Sequence, residues 1–122
     1  MNKYDEYVAS IEETHHIKKI DAPSGTAITL AKGIINEHDL YSSWHKGNIA
    51  ANGSIPVESF REGEVPGTHI VKWDSDIDSI SLIHDSKSRK GLALGAVVAA
   101  EFIAKRIGVF TMEDVMGFSF NS

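Results

Sequence analysis

The sequence contains no cysteine, which excludes disulfides, thiolate nucleophiles and sulfur ligands for a metal. That absence suits a cytoplasmic setting. No apolar run approaches the ~18 residues that would span a bilayer, and no secretory leader opens the chain. Positive charge is scarce. Twelve Lys and Arg stand against 17 Asp and Glu, a formal net charge of −5, which argues against a nucleic-acid duplex as the main partner. Neither G-x-G-x-x-G nor G-x-x-x-x-G-K-[ST] occurs. The 122 residues are about half of what a dinucleotide-binding unit plus a separate substrate domain requires.

What is present has a globular balance, with 42% hydrophobic and 24% charged residues. This predicts one domain over residues 1–122 and excludes wholesale disorder. Tyr7, Ala9 and Ile11 alternate with polar neighbours and predict a strand over Tyr7–Glu13. Asp21-Ala22-Pro23-Ser24-Gly25-Thr26 reads as a loop feeding a helix over Ser24–Asn36, whose apolar stripe is Ile28, Ala31 and Ile35, widened by Leu30 and Ile34. Residues 37–54 are polar and turn-rich and read as a surface loop. Strand signals follow at Ile55–Phe60, Thr68–Trp73 and Ile77–His84. A second helix is expected over Ser88–Ile107, closed by Gly108. Val97 and Val98 leave it only a narrow polar edge, which predicts burial on two sides. Thr111-Met112-Glu113-Asp114 resembles a further helix start. The expected fold is α+β: a mixed, mostly antiparallel sheet of about four strands with helices packed on one face.

The densest polar cluster runs from Glu13 to Ala27. A metal site is disfavoured there, because adjacent His15 and His16 on a strand point to opposite faces and no third ligand sits at zinc spacing. An anion site fits better. The backbone N–H groups of Gly25 and Thr26 lie at a helix N-terminus, Gly25 permits close approach, and the Thr26 hydroxyl adds a donor. His15 and Lys19 are four apart, which places them on one face of a regular strand or helix and lets them serve one substrate. The ligand class is a small molecule with two negative groups. The plainer alternative is that Pro-Ser-Gly-Thr merely caps the helix. His38 and His45 receive no role, while His69 and His84 read as packing or hydrogen-bonded groups. Arg61 lies near a turn. Arg89 opens a helix against the sense of its dipole, which predicts an anionic partner for it.

These residues also carry a resemblance. His15-His16-Ile17-Lys18-Lys19-Ile20-Asp21-Ala22-Pro23-Ser24-Gly25-Thr26-Ala27 resembles the H-H-x-x-K-x-D-A-P-S-G-T-A signature of the dihydrodipicolinate reductase family. Phe60–His69, His84–Arg89 with Gly95-Ala96, and Gly108–Val115 resemble three further stretches of that family in order, so the likeness runs from His15 to Phe118. Thr68 and Lys18 depart from it, standing where Glu and His are common. The resemblance implies the C-terminal, substrate-binding and tetramer-forming domain, with the N-terminal nucleotide-binding domain absent. It implies His15 and Lys19 as proton donors, and His16, Ser24, Gly25 and Thr26 at the substrate. It further implies reduction of a cyclic dicarboxylate, 4-hydroxy-tetrahydrodipicolinate, with NADH or NADPH, on the route to diaminopimelate and lysine. No cofactor is expected on this chain alone, which is then inactive by itself. The alternative is an oligomerisation module inert toward ligands.

Overall fold

The computed structural model describes residues 1–117. The chain separates into two compact units, Met1–Lys87 and the residues from Ser88 onward.

The first unit is a sheet with one helix against it. Strand β1 (Val8–His15), helix α1 (Gly25–Glu37), and strands β2 (Ser43–Lys46), β3 (Ser54–Arg61), β4 (Gly67–Asp74) and β5 (Ser79–Ser86) follow in chain order. They form one sheet of order β2-β3-β1-β4-β5. β3 runs parallel to both β1 and β2, while β4 is antiparallel to β1 and β5. The class is the expected α+β with a mixed sheet, but it has five strands rather than about four, and two of its four pairings are parallel rather than mostly antiparallel. The additional strand is β2, inside the stretch read as a surface loop. It has four residues, too few for alternation to register. It forms because Trp44, in register with Ile55, packs against the core and His45 bonds both Ser54 Oγ (2.7 Å) and the Ile49 carbonyl (2.6 Å).

The core joins Ala9 and Ile11 of β1, Ile55 and Val57 of β3, and Ala27 and Ala31 of α1. The two alanines let the helix backbone approach the sheet, and Leu30, Ile34 and Ile35 fill the flanks. Ser24 caps α1 by accepting the Ala27 N–H at 3.1 Å. The inward period of β1 does not stop at Ile11. The next residue on that face is Glu13, which is fully buried.

The second unit holds helices α2 (Lys90–Ile103) and α3 (Met112–Met116). α3 begins as expected, with Thr111 and Asp114 forming a capping box. Within its own unit, α2 does not gain the two-sided burial that its sequence predicts. None of its residues is buried, and Leu92, Leu94, Val97 and Val98 remain exposed. A helix apolar on most sides buries only where partners flank it. Within its unit, α2 meets the segment leading to α3 through Phe102 and Phe110, whose rings stand edge to face at 5.4 Å. Arg89 makes no side-chain cap bond and no ion pair among the described residues. No helix among them is long and apolar enough to cross a membrane.

Candidate functional site

β1 ends at His15, and the chain turns at once. The Lys19 N–H donates to the His16 carbonyl at 3.1 Å. Lys19 therefore lies beyond a turn, and strand or helix periodicity does not place it beside His15. Other contacts hold the loop. Arg61, opposite His15 in the register of β1 and β3, donates from Nη2 to the Asp21 carbonyl (2.6 Å) and from Nε to the Lys19 carbonyl (3.3 Å). Ile17 N–H donates to the Gly63 carbonyl at 3.1 Å. The signature segment is thereby pinned along the β3–β4 connection and enters α1 through a cis Ala22–Pro23 bond.

Glu13, His15, Arg61 and His69 converge beneath this loop. Arg61 Nη1 donates to Glu13 Oε1 at 2.7 Å, and Glu13 Oε2 bonds His15 Nδ1. Burial pushes the Glu13 carboxyl up, but hydrogen bonds from Arg61, Ser59 and His15 outweigh it and hold the group below its ordinary range. His69, opposite Glu13 on β4, sets its ring edge to face against His15 at 5.1 Å and bonds Ser24 Oγ through Nε2 at 2.9 Å. Desolvation first, then the neighbouring His15, lowers the affinity of His69 for a proton, with His84 and Lys19 acting in the same sense and Glu13 opposing. A Cβ at position 67 would lie 3.0 Å from His15 Nε2, so Gly67 leaves the imidazole its place.

Ser24 is buried and its hydroxyl serves Ala27 and His69, so it shapes the helix entry. Gly25 and Thr26 are exposed at the start of α1. Ser24 takes the N–H groups of Ala27 and Ile28, which leaves those of Gly25 and Thr26 as the open donors of the first turn. A Cβ at Gly25 would meet nothing within 4 Å. Lys19 pairs with Asp21 at 2.9 Å. His16 is half-buried, on the turn that follows β1. Glu13 and Arg61 are the participants that motif reading assigned no role. The Glu13-x-His15 spacing on a strand, which puts both side chains on one face, was the signal available for the first.

Glu13, His15 and His69 also offer metal-ligating atoms within 4.8 Å of one another. The third ligand missing from the local spacing is thus supplied across the sheet. Both Glu13 oxygens are nevertheless engaged, one by a guanidinium, and a divalent cation would have to lie beside that charge. The cluster is a hydrogen-bonded one. On the other face of the sheet a cleft of about 430 Å³ is lined by Glu12, Glu58, Asp74 and Lys72, among others. Lys72 is already bound to Glu12 at 2.8 Å, so that cleft is unsuited to a dianion.

The buried cluster gives a pH prediction. Below its ordinary 6.5, His69 of the unfolded chain takes up a proton that the folded chain resists. Glu13, lowered from 4.5, acts in the same direction as its carboxylate is titrated. In both cases the unfolded state binds more protons, so stability falls as pH falls. The thermal midpoint is expected to decline progressively between pH 6.5 and 4.5 and further below it. A midpoint unchanged across that interval contradicts the assignment.

Residues 1–116 match the family described as dihydrodipicolinate reductase, C-terminus. A 4-hydroxy-tetrahydrodipicolinate reductase of Christiangramia forsetii is 47% identical over 116 residues, covering 95% of this chain and 48% of the relative. The enzyme of that name from Ralstonia nicotianae is 36% identical over 118 residues, covering 91% and 45%. The chain spans about half the length of these relatives. Among solved structures, a dipicolinate-bound dihydrodipicolinate reductase from Paenisporosarcina sp. TG-14 aligns with a TM-score of 0.61 at 25% identity, over 79% of this chain and 39% of that one.

Proposed function

Because this chain belongs to the dihydrodipicolinate reductase C-terminal family, we propose that residues 1–122 form the substrate-side, assembly-forming domain of a reductase of 4-hydroxy-tetrahydrodipicolinate that uses NADH or NADPH, in diaminopimelate and lysine biosynthesis. The observation that carries this reading is the pair of open N–H groups at Gly25 and Thr26, on a helix entry clamped by Arg61 and Ser24. They bind one carboxylate of a small cyclic dianion. The Thr26 hydroxyl and His16 add polar contacts to the same ligand. His15 and Lys19 exchange protons with it, and Asp21, whose carboxyl the hydrogen bond from Lys19 lowers from its ordinary value, keeps the ammonium partnered when the site is empty. Ser24, expected at the substrate, supports the same ligand from the helix cap, where its hydroxyl bonds Ala27 and His69.

The nicotinamide cofactor supplies the hydride when bound. The residues described here do not fit it. The β1–α1 connection has a single glycine, Gly25, at the helix entry, and its open donors match one carboxylate rather than a pyrophosphate.

The test is a calorimetric titration with pyridine-2,6-dicarboxylate at low salt. Binding near one per chain is expected, and His16→Ala should weaken it by about 1–3 kcal/mol, as for a lost charge-assisted hydrogen bond. No heat at millimolar ligand overturns the reading in favour of a ligand-inert oligomerisation module.

That second reading shares one expectation with the first. Edge strand β5 leaves Ile80, Leu82 and Ile83 exposed, as α2 leaves Leu92 and Val97. A row of unpaired backbone groups flanked by aliphatic side chains favours association. A homotetramer is expected, and light scattering at micromolar concentration checks it. A species of 13.3 kDa alone contradicts it.

A further inference from the structure

We propose that Glu13 is the positioning residue of His15: it holds the imidazole with its proton on Nδ1, so that Nε2 is the atom that exchanges a proton with the ligand, while Arg61 keeps Glu13 anionic in its buried place. The inference rests on the function proposed above for its use of His15, and on the geometry for everything else.

Glu13 is fully buried, an expensive location for a carboxylate unless every lone pair is used. Here one oxygen receives Arg61 Nη1 at 2.7 Å and the other faces His15 Nδ1. An ionised carboxylate only accepts hydrogen bonds, so Nδ1 must be the protonated nitrogen, and in the neutral ring the lone pair falls on Nε2. The ring has little freedom to turn. His69 packs against it edge to face, and Gly67 lies alongside Nε2. A Glu two residues before a His on one strand face suffices to bring the two groups together. What makes Glu13 an acceptor is Arg61, 48 residues further along the chain. The same guanidinium also ties down the carbonyls of Lys19 and Asp21, so one side chain links the state of His15 to the shape of the ligand loop.

This arrangement predicts the effect of an isosteric change. In Glu13→Gln, Arg61 offers only donors, so the amide carbonyl must face it. The amide NH₂ then faces His15 Nδ1 and requires an acceptor there. The tautomer is expected to reverse, with the proton moving to Nε2. The measurement is ¹⁵N–¹H correlation NMR of the whole chain at a pH well above the ordinary imidazole range. In the wild type, His15 Nδ1 should show a protonated-type ¹⁵N shift and Nε2 an unprotonated one, and the two should exchange in Glu13→Gln. A mere loss of packing does not predict this reversal. A wild-type ring protonated on Nε2 overturns the proposal by itself, even if the variant does not fold. So does a folded variant whose tautomer is unchanged. Because neither spectrum needs a ligand, failure of dipicolinate binding alongside the expected tautomers would reject the proposed function and leave the role of Glu13 standing.

Discussion

Arg61→Met is expected to lower the unfolding free energy by about 3–5 kcal/mol, the range for breaking a buried ion pair from one side. The substitution leaves Glu13 buried beside His15 with no permanent cation. It also removes the donors that hold the Lys19, Asp21 and Phe60 carbonyls. Urea unfolding monitored at two wavelengths measures the loss. Two companions separate its causes. Arg61→Lys keeps the charge but has no planar fork to reach several acceptors, so it should recover only part of the stability. Combining Arg61→Met with Glu13→Gln removes the orphaned charge, so the double variant should be more stable than the sum of the single losses predicts. A loss below about 1 kcal/mol in Arg61→Met would show that water reaches Glu13 and that the buried pair is worth no more than a surface one.

The second large effect is expected at the centre of the sheet. Ile11 is 1% exposed and sits between Val57 on β3 and Val71 on β4. Ile11→Ala removes three carbons where strands on both sides and α1 prevent collapse, at a cost of about 2–5 kcal/mol. Ile11→Val, which removes one carbon, should cost about 0.5–1.5 kcal/mol. Equilibrium denaturation checks both. The consequence for the site is indirect but measurable, because Glu13 is the next inward residue of the same strand. Loosening the β1 centre should increase hydrogen exchange at Glu13 and His15 before it does so in α1. Equal costs for the Ala and Val variants would mean that the core fills the space, contrary to the close packing described.

Local features of the chain were legible wherever physics acts over a few residues. Alternation marked β1 within one or two positions, and the Ser24 oxygen at the helix entry marked the start of α1. Pro-Ser-Gly-Thr read correctly as a helix entry, and Thr111 marked the start of α3. Where the signal was short or depended on partners, it failed. β2 has only four residues and owes its existence to Trp44 packing and the bonds of His45. The breadth of the apolar surface on α2 was visible, but which neighbours cover it is not a property of the helix. The even spacing of His15 and Lys19 presumed a regular element that ends at His15.

The sequence by itself determined every described element but β2, the helix entry with its two open donors, and the likeness to one family, because capping, alternation and motif order are local or linear properties. Only the tertiary structure decided that Glu13 is a buried core residue, that Arg61 links it to the Lys19–Asp21 loop, and that His69 closes on Ser24. Those pairs lie 48 and 45 residues apart. They meet because β3 and β4 add to opposite edges of β1 in a register set by burying Ile11, Val57 and Val71 on one face.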